Sequence, residues 1–334
     1  TPAVRAIKAA YPDAMLELLT IDRSKELAGG IPGIDKIHSV PIHYRIAGPA
    51  AVYKFIRILL ELRREGFSAL LNFSLVSSFG GLLKTRLING LVKPGMASCR
   101  VLKGLGAAGD FTSYEDFIEK KSEVALTAKL LAPLRLEPRD LEISYSPGLE
   151  EKKRVSVDIA ARRLSGKPVI GLNPGAFRPS HRWPLKKWKG LINLILEKYP
   201  EALIIVTGSQ SEKAMAEELK ISERVFPAAG LYSVREHTAL YGLMDVFITN
   251  DTGPMHIAAA VGARIVCIFG PGGDQWRFSP SVPDGRKRVI RKDIPGCDVP
   301  CYRFKCRDAA CLEAVSPEEA LAAAVELMES ARKP

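Results

Sequence analysis

A chain of 334 residues that is 47% hydrophobic and 25% charged has the make-up of a soluble globular protein, and its length suits two domains. No uninterrupted apolar run approaches a membrane span and no signal peptide is visible, so neither a transmembrane segment nor a secreted protein is expected. The formal net charge of +11 implies an anionic partner, yet aromatics are only 7% and no nucleic-acid-binding signature is present, which leaves a phosphorylated substrate at a membrane face.

Thr1 to Tyr11 reads as a helix that starts at once, with Pro2 early and Val4 and Ile7 on one face. A strand is expected at Met15 to Leu19. In a βαβ arrangement a strand normally feeds such a first helix, and none is present in the sequence. Leu59 to Glu65 closes a helix, Ala69 to Phe73 is a strand, and Val124 to Leu134 is amphipathic. Arg57, Arg63, Arg64, Lys84 and Arg86 concentrate positive charge here. They read either as solvated helix faces or as a grouped acceptor-binding patch. Pro138, Pro147 and Gly148 mark an irregular stretch before a basic helix from Glu150 to Leu164. The domain boundary is accordingly placed at 155/156, giving domains 1–155 and 156–334.

The second half keeps a cleaner strand-helix rhythm. Strands are expected at Val169 to Leu172, Ala202 to Thr207, Val246 to Ile248 and Ile265 to Phe269, with a further edge at Val225 and Phe226. Helices are expected from Trp183 to Lys198, to about Lys220, over Val234 to Leu243 and Met255 to Val261, with a last one over Ala320 to Ser330 capped by Ser316 to Glu319. Polar groups gather where strands hand over to helices: Asn173 to Ala176, Gly208 to Glu212 and Asn250 to His256. Ligands of open α/β sheets bind beyond the carboxyl ends of the strands. In the last of these turns Thr252 can donate a hydroxyl, Gly253 admits close backbone approach, and His256 falls in the first turn of a helix whose N-terminus suits a phosphate. The plainer reading makes Asp251 or Thr252 a helix cap and His256 a core residue. Glu212 is equally ambiguous: it completes a capping box with Ser209, and a carboxylate past a strand end can also hold ribose hydroxyls. His181 and Arg182 are either phosphate contacts or an exposed basic turn.

Asn173-Pro174-Gly175-Ala176, the turn His181-Arg182-Trp183-Pro184, and Asn250-Asp251-Thr252-Gly253-Pro254-Met255-His256 followed by Phe269-Gly270-Pro271 resemble glycosyltransferase family 9, the bacterial heptosyltransferases of lipopolysaccharide core assembly. The resemblance implies an α/β GT-B fold: two Rossmann-like domains with parallel sheets facing a cleft, the N-terminal one taking the acceptor and the C-terminal one the nucleotide-sugar. It assigns Asp251, Thr252, Gly253 and His256 to the diphosphate loop, Glu212 to the ribose, and Asn173, Gly175 and Ala176 to a loop flanking the phosphates. His181 departs from the family, which usually has Lys ahead of the Arg/His-Trp-Pro. His is only partly charged near neutral pH, and Arg182 stands beside it as a substitute. The implied reaction is an inverting transfer of heptose from ADP-heptose to an anionic, lipid-linked phosphosugar, without metal or other cofactor. It would take place in the cytoplasm, with the protein peripheral on the inner face of the inner membrane. Thr1-Pro2-Ala3 resembles the end of the family's opening motif, whose general-base Asp stands just ahead of it. No residue of this sequence occupies that position, and Asp13 and Asp22 follow the first helix.

Cys297, Cys301, Cys306 and Cys311 are spaced by four, five and five residues, unlike the paired C-x-x-C of zinc ribbons. Reduced thiols packing an irregular tail are expected, and Cys-rich tails of this kind also occur in the family that the chain resembles. Two rival readings stand beside the transferase: a UDP-sugar 2-epimerase of the same fold, and a non-catalytic nucleotide-sugar binder.

Overall fold

The computed structural model describes residues 1–41, 48–115, 121–270, 275–297, 306 and 309–331. The chain divides into two compact units, Thr1–Leu141 and Glu142–Pro334.

The first unit runs α1 (Pro2–Ala10), β1 (Glu17–Ile21), α2 (Asp22–Ala28), β2 (Lys36–Val40), α3 (Pro49–Glu65), β3 (Leu70–Val76), α4 (Phe79–Val92), β4 (Ala97–Leu102), β5 (Phe111–Glu115) and α5 (Glu123–Ala128). All its described strand pairs are parallel: β1 with β2 in one sheet, and β3, β4 and β5 in another. Strand β1 begins two residues later than expected. Leu16 N–H is taken by the Asp35 carboxylate at 2.7 Å, which Lys8 also grips, so the chain joins the ladder only beyond it. The amphipathic stretch 124–134 splits as well. After α5 it tightens into a 3₁₀ helix, Lys129–Leu134, with Pro133 inside and unable to donate an α-helical bond. Phe55, Ile58, Leu59 and Leu62 of α3 bury against Val40 and Val92. Helix α3 stops at Gly66, whose φ of +71° is the left-handed conformation that ends a helix.

The second unit continues with α6 (Leu149–Ala160), β6 (Val169–Asn173), α7 (Leu185–Lys198), β7 (Leu203–Val206), α8 (Lys213–Glu218), β8 (Val225–Pro227), α9 (Val234–Gly242), β9 (Val246–Asn250), α10 (Gly253–Ala260), β10 (Ile265–Ile268), α11 (Gln275–Phe278), β11 (Lys287–Ile290), α12 (Ala310–Glu313) and α13 (Pro317–Ser330). The 155/156 boundary read from the sequence cuts α6. That helix lies in the second unit, where Val155 and Ile159 are buried in the core.

The six strands form one parallel sheet in the order β8-β7-β6-β9-β10-β11. Counting from β6 this is 3-2-1-4-5-6, the doubly wound order, and it reverses between β6 and β9. Both faces are covered, so the strands read as continuous apolar runs. Alternate residues serve the two faces. Ile170, Leu172, Ile204, Val206, Ile248 and Ile268 pack with α7 and α13, whereas Val169, Leu203, Ile205, Phe247, Ile265 and Cys267 pack with α6, α9 and α10. At about 1.5–3 kcal/mol for each fully buried aliphatic side chain, these two layers are what make the sheet a rigid platform.

Candidate functional site

The switch point of the second sheet is also where the polar ends of β6 and β9 lie side by side, and two buried asparagines knit them together. Asn250, fully buried at the end of β9, donates from Nδ2 to the carbonyls of Pro174 (2.8 Å) and Gly175 (3.3 Å). Its Oδ1 accepts from Trp183 N–H at 3.1 Å. Asn173, at the end of β6, donates to Gly175 O at 3.1 Å and accepts from the Thr207 hydroxyl at 3.2 Å. Both ends of the loop 174–183 are thus tied to the strands beneath it, through the carbonyls of Pro174 and Gly175 and the Trp183 N–H. Sequence reading passed over Asn250 as a site residue. A fully buried amide needs partners for both ends, and that burial is visible only in the structure.

Glu212 arrives from the neighbouring β7 turn. Ser209 donates from both its backbone N–H and its hydroxyl to Oε2, each at 2.7 Å, so the capping role uses one carboxylate oxygen. The other, Oε1, is turned to Gly175. A Cβ on Gly175 would fall within that carboxylate, with even Oε2 at 2.9 Å. The capping bonds thus fall on Oε2, and Oε1 faces the Asn-Pro-Gly-Ala loop. Beneath them burial pushes the Tyr241 phenol up, holding it protonated beside Thr207.

His181 is buried between two further parts of the site. Its Nδ1 lies 3.5 Å from Asp251 Oδ2, and the Gly270 backbone comes close enough that a Cβ there would meet the ring at 3.6 Å. Its Nε2 is buried and has no hydrogen-bond partner among the described residues. A ring nitrogen in that state is a cost unless something docks against it. Arg182 donates from Nε to Ala176 O at 2.9 Å, which ties the basic turn to the Asn-Pro-Gly-Ala loop. Behind Asp251, burial chiefly and the Asp251 charge secondarily raise the Cys267 thiol well above its usual value, so this cysteine stays protonated.

Thr252 is the N-cap residue of α10 by backbone position, but its side chain makes no capping bond. Of the plainer reading, in which Asp251 or Thr252 caps the helix, the Thr252 half is not met. Pro254, with no N–H to leave unsatisfied, sits in the first turn, followed by His256, which is half-buried. The free N–H groups of α10 therefore open at the switch point with their partial positive charge. Phe177, also passed over in the sequence, is 93% exposed in the same loop as Gly175.

The candidate residues fall into one connected group and one helix end. Asn173, Gly175, Ala176, His181, Arg182, Glu212 and Asp251 are joined by the contacts above. Thr252, Gly253 and His256 follow directly on Asp251 at the start of α10. Pro271 and Cys301 lie outside the described residues. Among the described residues no group of three or more His, Cys, Asp or Glu side chains is placed to hold a metal.

Two domains of parallel α/β structure, the second doubly wound with its polar loops at the switch point, define a GT-B fold. A heptosyltransferase solved from E. coli, described as ADP-heptose lps heptosyltransferase II, superposes with a TM-score of 0.72 over 99% of this chain and 94% of that one, at 17% identity. The sequence model of glycosyltransferase family 9 (heptosyltransferase) matches residues 116–284, half of the chain, and the chain belongs to this family. Lipooligosaccharide heptosyltransferase 2 of Haemophilus influenzae is 33% identical over 136 residues, which is 38% of this chain and 38% of that protein's length. Lipopolysaccharide heptosyltransferase 1 of Campylobacter coli is 24% identical over 319 residues, covering 89% of this chain and 85% of the relative.

Proposed function

We propose that this chain transfers heptose from ADP-heptose to an anionic lipopolysaccharide core acceptor, and that its second unit holds the donor. The observation that carries the reading is the meeting of Gly175, Glu212, His181 and Asp251 at the β6/β9 switch point, on a sheet of nucleotide-binding topology. In this reading Glu212 Oε1 accepts from a ribose hydroxyl. The diphosphate lies over the N-terminus of α10, against the Thr252 hydroxyl, Arg182 and His256, and the unpartnered His181 Nε2 faces it as the counterpart of the family's Lys. Those groups meet the charge that builds on the leaving diphosphate as the sugar–phosphate bond breaks, with no metal cofactor assigned.

The acceptor oxygen attacks the anomeric carbon from the side opposite the diphosphate, which inverts that centre, and its proton passes to a general base. No residue is assigned that role here. The heptosyltransferases named above support the reaction class, and the net charge of +11 suits an anionic acceptor at the cytoplasmic face of a membrane. No helix among the described residues is long and apolar enough to cross a membrane.

Thr252→Ala tests the donor assignment with little structural risk, because the hydroxyl caps nothing. Losing one hydrogen bond to a charged phosphate should weaken ADP binding by about tenfold or more, while stability changes by no more than about 0.5 kcal/mol. An unchanged ADP affinity, read by calorimetry, would refute the placement of the diphosphate.

A further inference from the structure

Ligands of open α/β sheets sit beyond the carboxyl ends of the strands, yet the first unit also carries a cavity at the other end of its sheet. Its volume is about 370 Å³, and it opens between the C-terminal end of α4, the start of β4 and the segment 107–110 ahead of β5. Strands β3, β4 and β5 run parallel, so this is the amino end of the sheet. Arg86 of α4 lines it and is more than a solvated helix-face cation. Its Nε and Nη2 both donate to Ala107 O, at 3.0 and 2.7 Å. That carbonyl takes one edge of the guanidinium, and the edge formed by the two Nη groups is left for a bidentate anion. Lys93, also lining the cavity, ends α4 with a φ of +50°. Helix α3 stops in the same left-handed conformation at Gly66, where no β-carbon is strained by it. A lysine held there at a conformational cost, with its side chain at a cavity, points to a ligand. Asp110 and Asn89 supply acceptors. Asp110 Oδ2 accepts from Ala97 N–H at 2.7 Å, which leaves Oδ1 uncommitted. Asn89 donates from Nδ2 to Ala108 O at 2.6 Å, and its buried Oδ1 has no hydrogen-bond partner among the described residues.

These groups define a ligand class. Two cations suit one compact anion, and a carboxylate oxygen and an amide oxygen suit the hydroxyls attached to it. A second negative charge on the ligand would be set against Asp110. None of the residues lining the cavity is aromatic, so a nucleobase finds no stacking platform. The geometry points to a second ligand site in the first unit, for a phosphorylated sugar, with the phosphate on the free edge of Arg86 and on Lys93, and the hydroxyls on Asp110 and Asn89. This goes beyond the transferase reading and does not rest on the donor assignment, and the cavity lies at the opposite strand ends from those where a substrate is expected.

Calorimetric titration of the full chain in saturating ADP, with glucose 6-phosphate, inorganic phosphate and glucose in turn, tests it. Glucose 6-phosphate should bind, inorganic phosphate should bind about tenfold more weakly or less, and glucose should give no signal. Lys93→Gly should weaken glucose 6-phosphate binding by about tenfold or more. Because it also relieves the left-handed lysine, this variant should unfold at no lower a urea concentration than the parent. Arg86→Gln should weaken binding by a similar factor, and neither variant should change the affinity for ADP. If Arg86→Gln fails to fold for want of its bond to Ala107, Lys93→Gly decides the matter alone. No saturable binding of glucose 6-phosphate at millimolar concentrations, or binding that Lys93→Gly leaves unaltered, overturns the proposal. So does inorganic phosphate that binds as tightly as the sugar phosphate, since Asp110 and Asn89 then read no hydroxyl. Binding that ADP abolishes belongs to the donor site and overturns it too. Glucose 6-phosphate binding that Lys93→Gly weakens, in a chain that takes no ADP, supports this site and counts only against the donor reading.

Discussion

Gly175→Ala should weaken ADP binding by about 10- to 100-fold, the equivalent of one or two charge-assisted hydrogen bonds to the ribose. The cause is steric and local. The added methyl occupies the space of the Glu212 carboxylate, and a flexible Glu yields more readily than the loop that Asn173 and Asn250 hold. Glu212 swings away and its Oε1 is lost to the ligand. Because Ser209 can still cap the helix through other rotamers, the variant should unfold within about 1 kcal/mol of the parent. Calorimetric titration beside a denaturation curve separates these two effects. Full retention of ADP affinity would remove Glu212 from the donor site.

The second large effect is on stability. Asn250→Ala should cost the second unit about 2–4 kcal/mol, because it leaves the Pro174 carbonyl and the Trp183 N–H without their Asn250 partner and the Gly175 carbonyl with Asn173 alone. Asn250→Asp should be at least as damaging. It keeps the acceptor for Trp183 but turns a second oxygen toward the carbonyls of Pro174 and Gly175. The measurement is convenient because Trp183, Trp188 and Trp276 all lie in the second unit, so tryptophan fluorescence during urea unfolding follows that unit alone. If Asn250→Ala unfolds at the parent's urea concentration, then the loop is held by other means and the switch point is not pre-organised as described.

These two residues also show where the sequence is legible and where it is not. The strands β6, β7, β9 and β10 can be read because both faces of their sheet are buried and nearly every residue must be apolar. Strand β4 gives no such signal. Its Arg100 is fully buried, satisfied by Phe73 O at 3.1 Å and Glu123 Oε1 at 2.7 Å, partners that sequence periodicity cannot reveal. Strand β2, Lys-Ile-His-Ser-Val, is hidden by the same kind of compensation, with His38 beside Glu17 at 2.5 Å. The late start of β1 depends on Asp35, a residue beyond the strand that claims the Leu16 N–H.

In the candidate site, residue types point to three turns but leave open roles that local geometry distinguishes. Glu212 is ambiguous in sequence between a cap and a ligand; the structure shows the capping bonds on Oε2, with Oε1 turned to Gly175. Thr252 looked like a cap and makes no capping bond. Asn250 is named within the motif but carries no role in the sequence reading, because it holds another loop and a tie across 75 residues has no local sequence signature. The basic residues of α3 and α4 could be counted in the sequence, but that apolar side chains share their exposed faces is visible only once the buried faces are known.

The central claim is that the β6/β9 switch point of the second unit binds an adenosine diphosphate sugar. Calorimetric titration of the chain with ADP, ADP-heptose, UDP and GDP tests it most directly. The account predicts binding of ADP and ADP-heptose in preference to the other two, weakened by Gly175→Ala and by Thr252→Ala. A preference for UDP, or ADP binding that neither substitution alters, would contradict it.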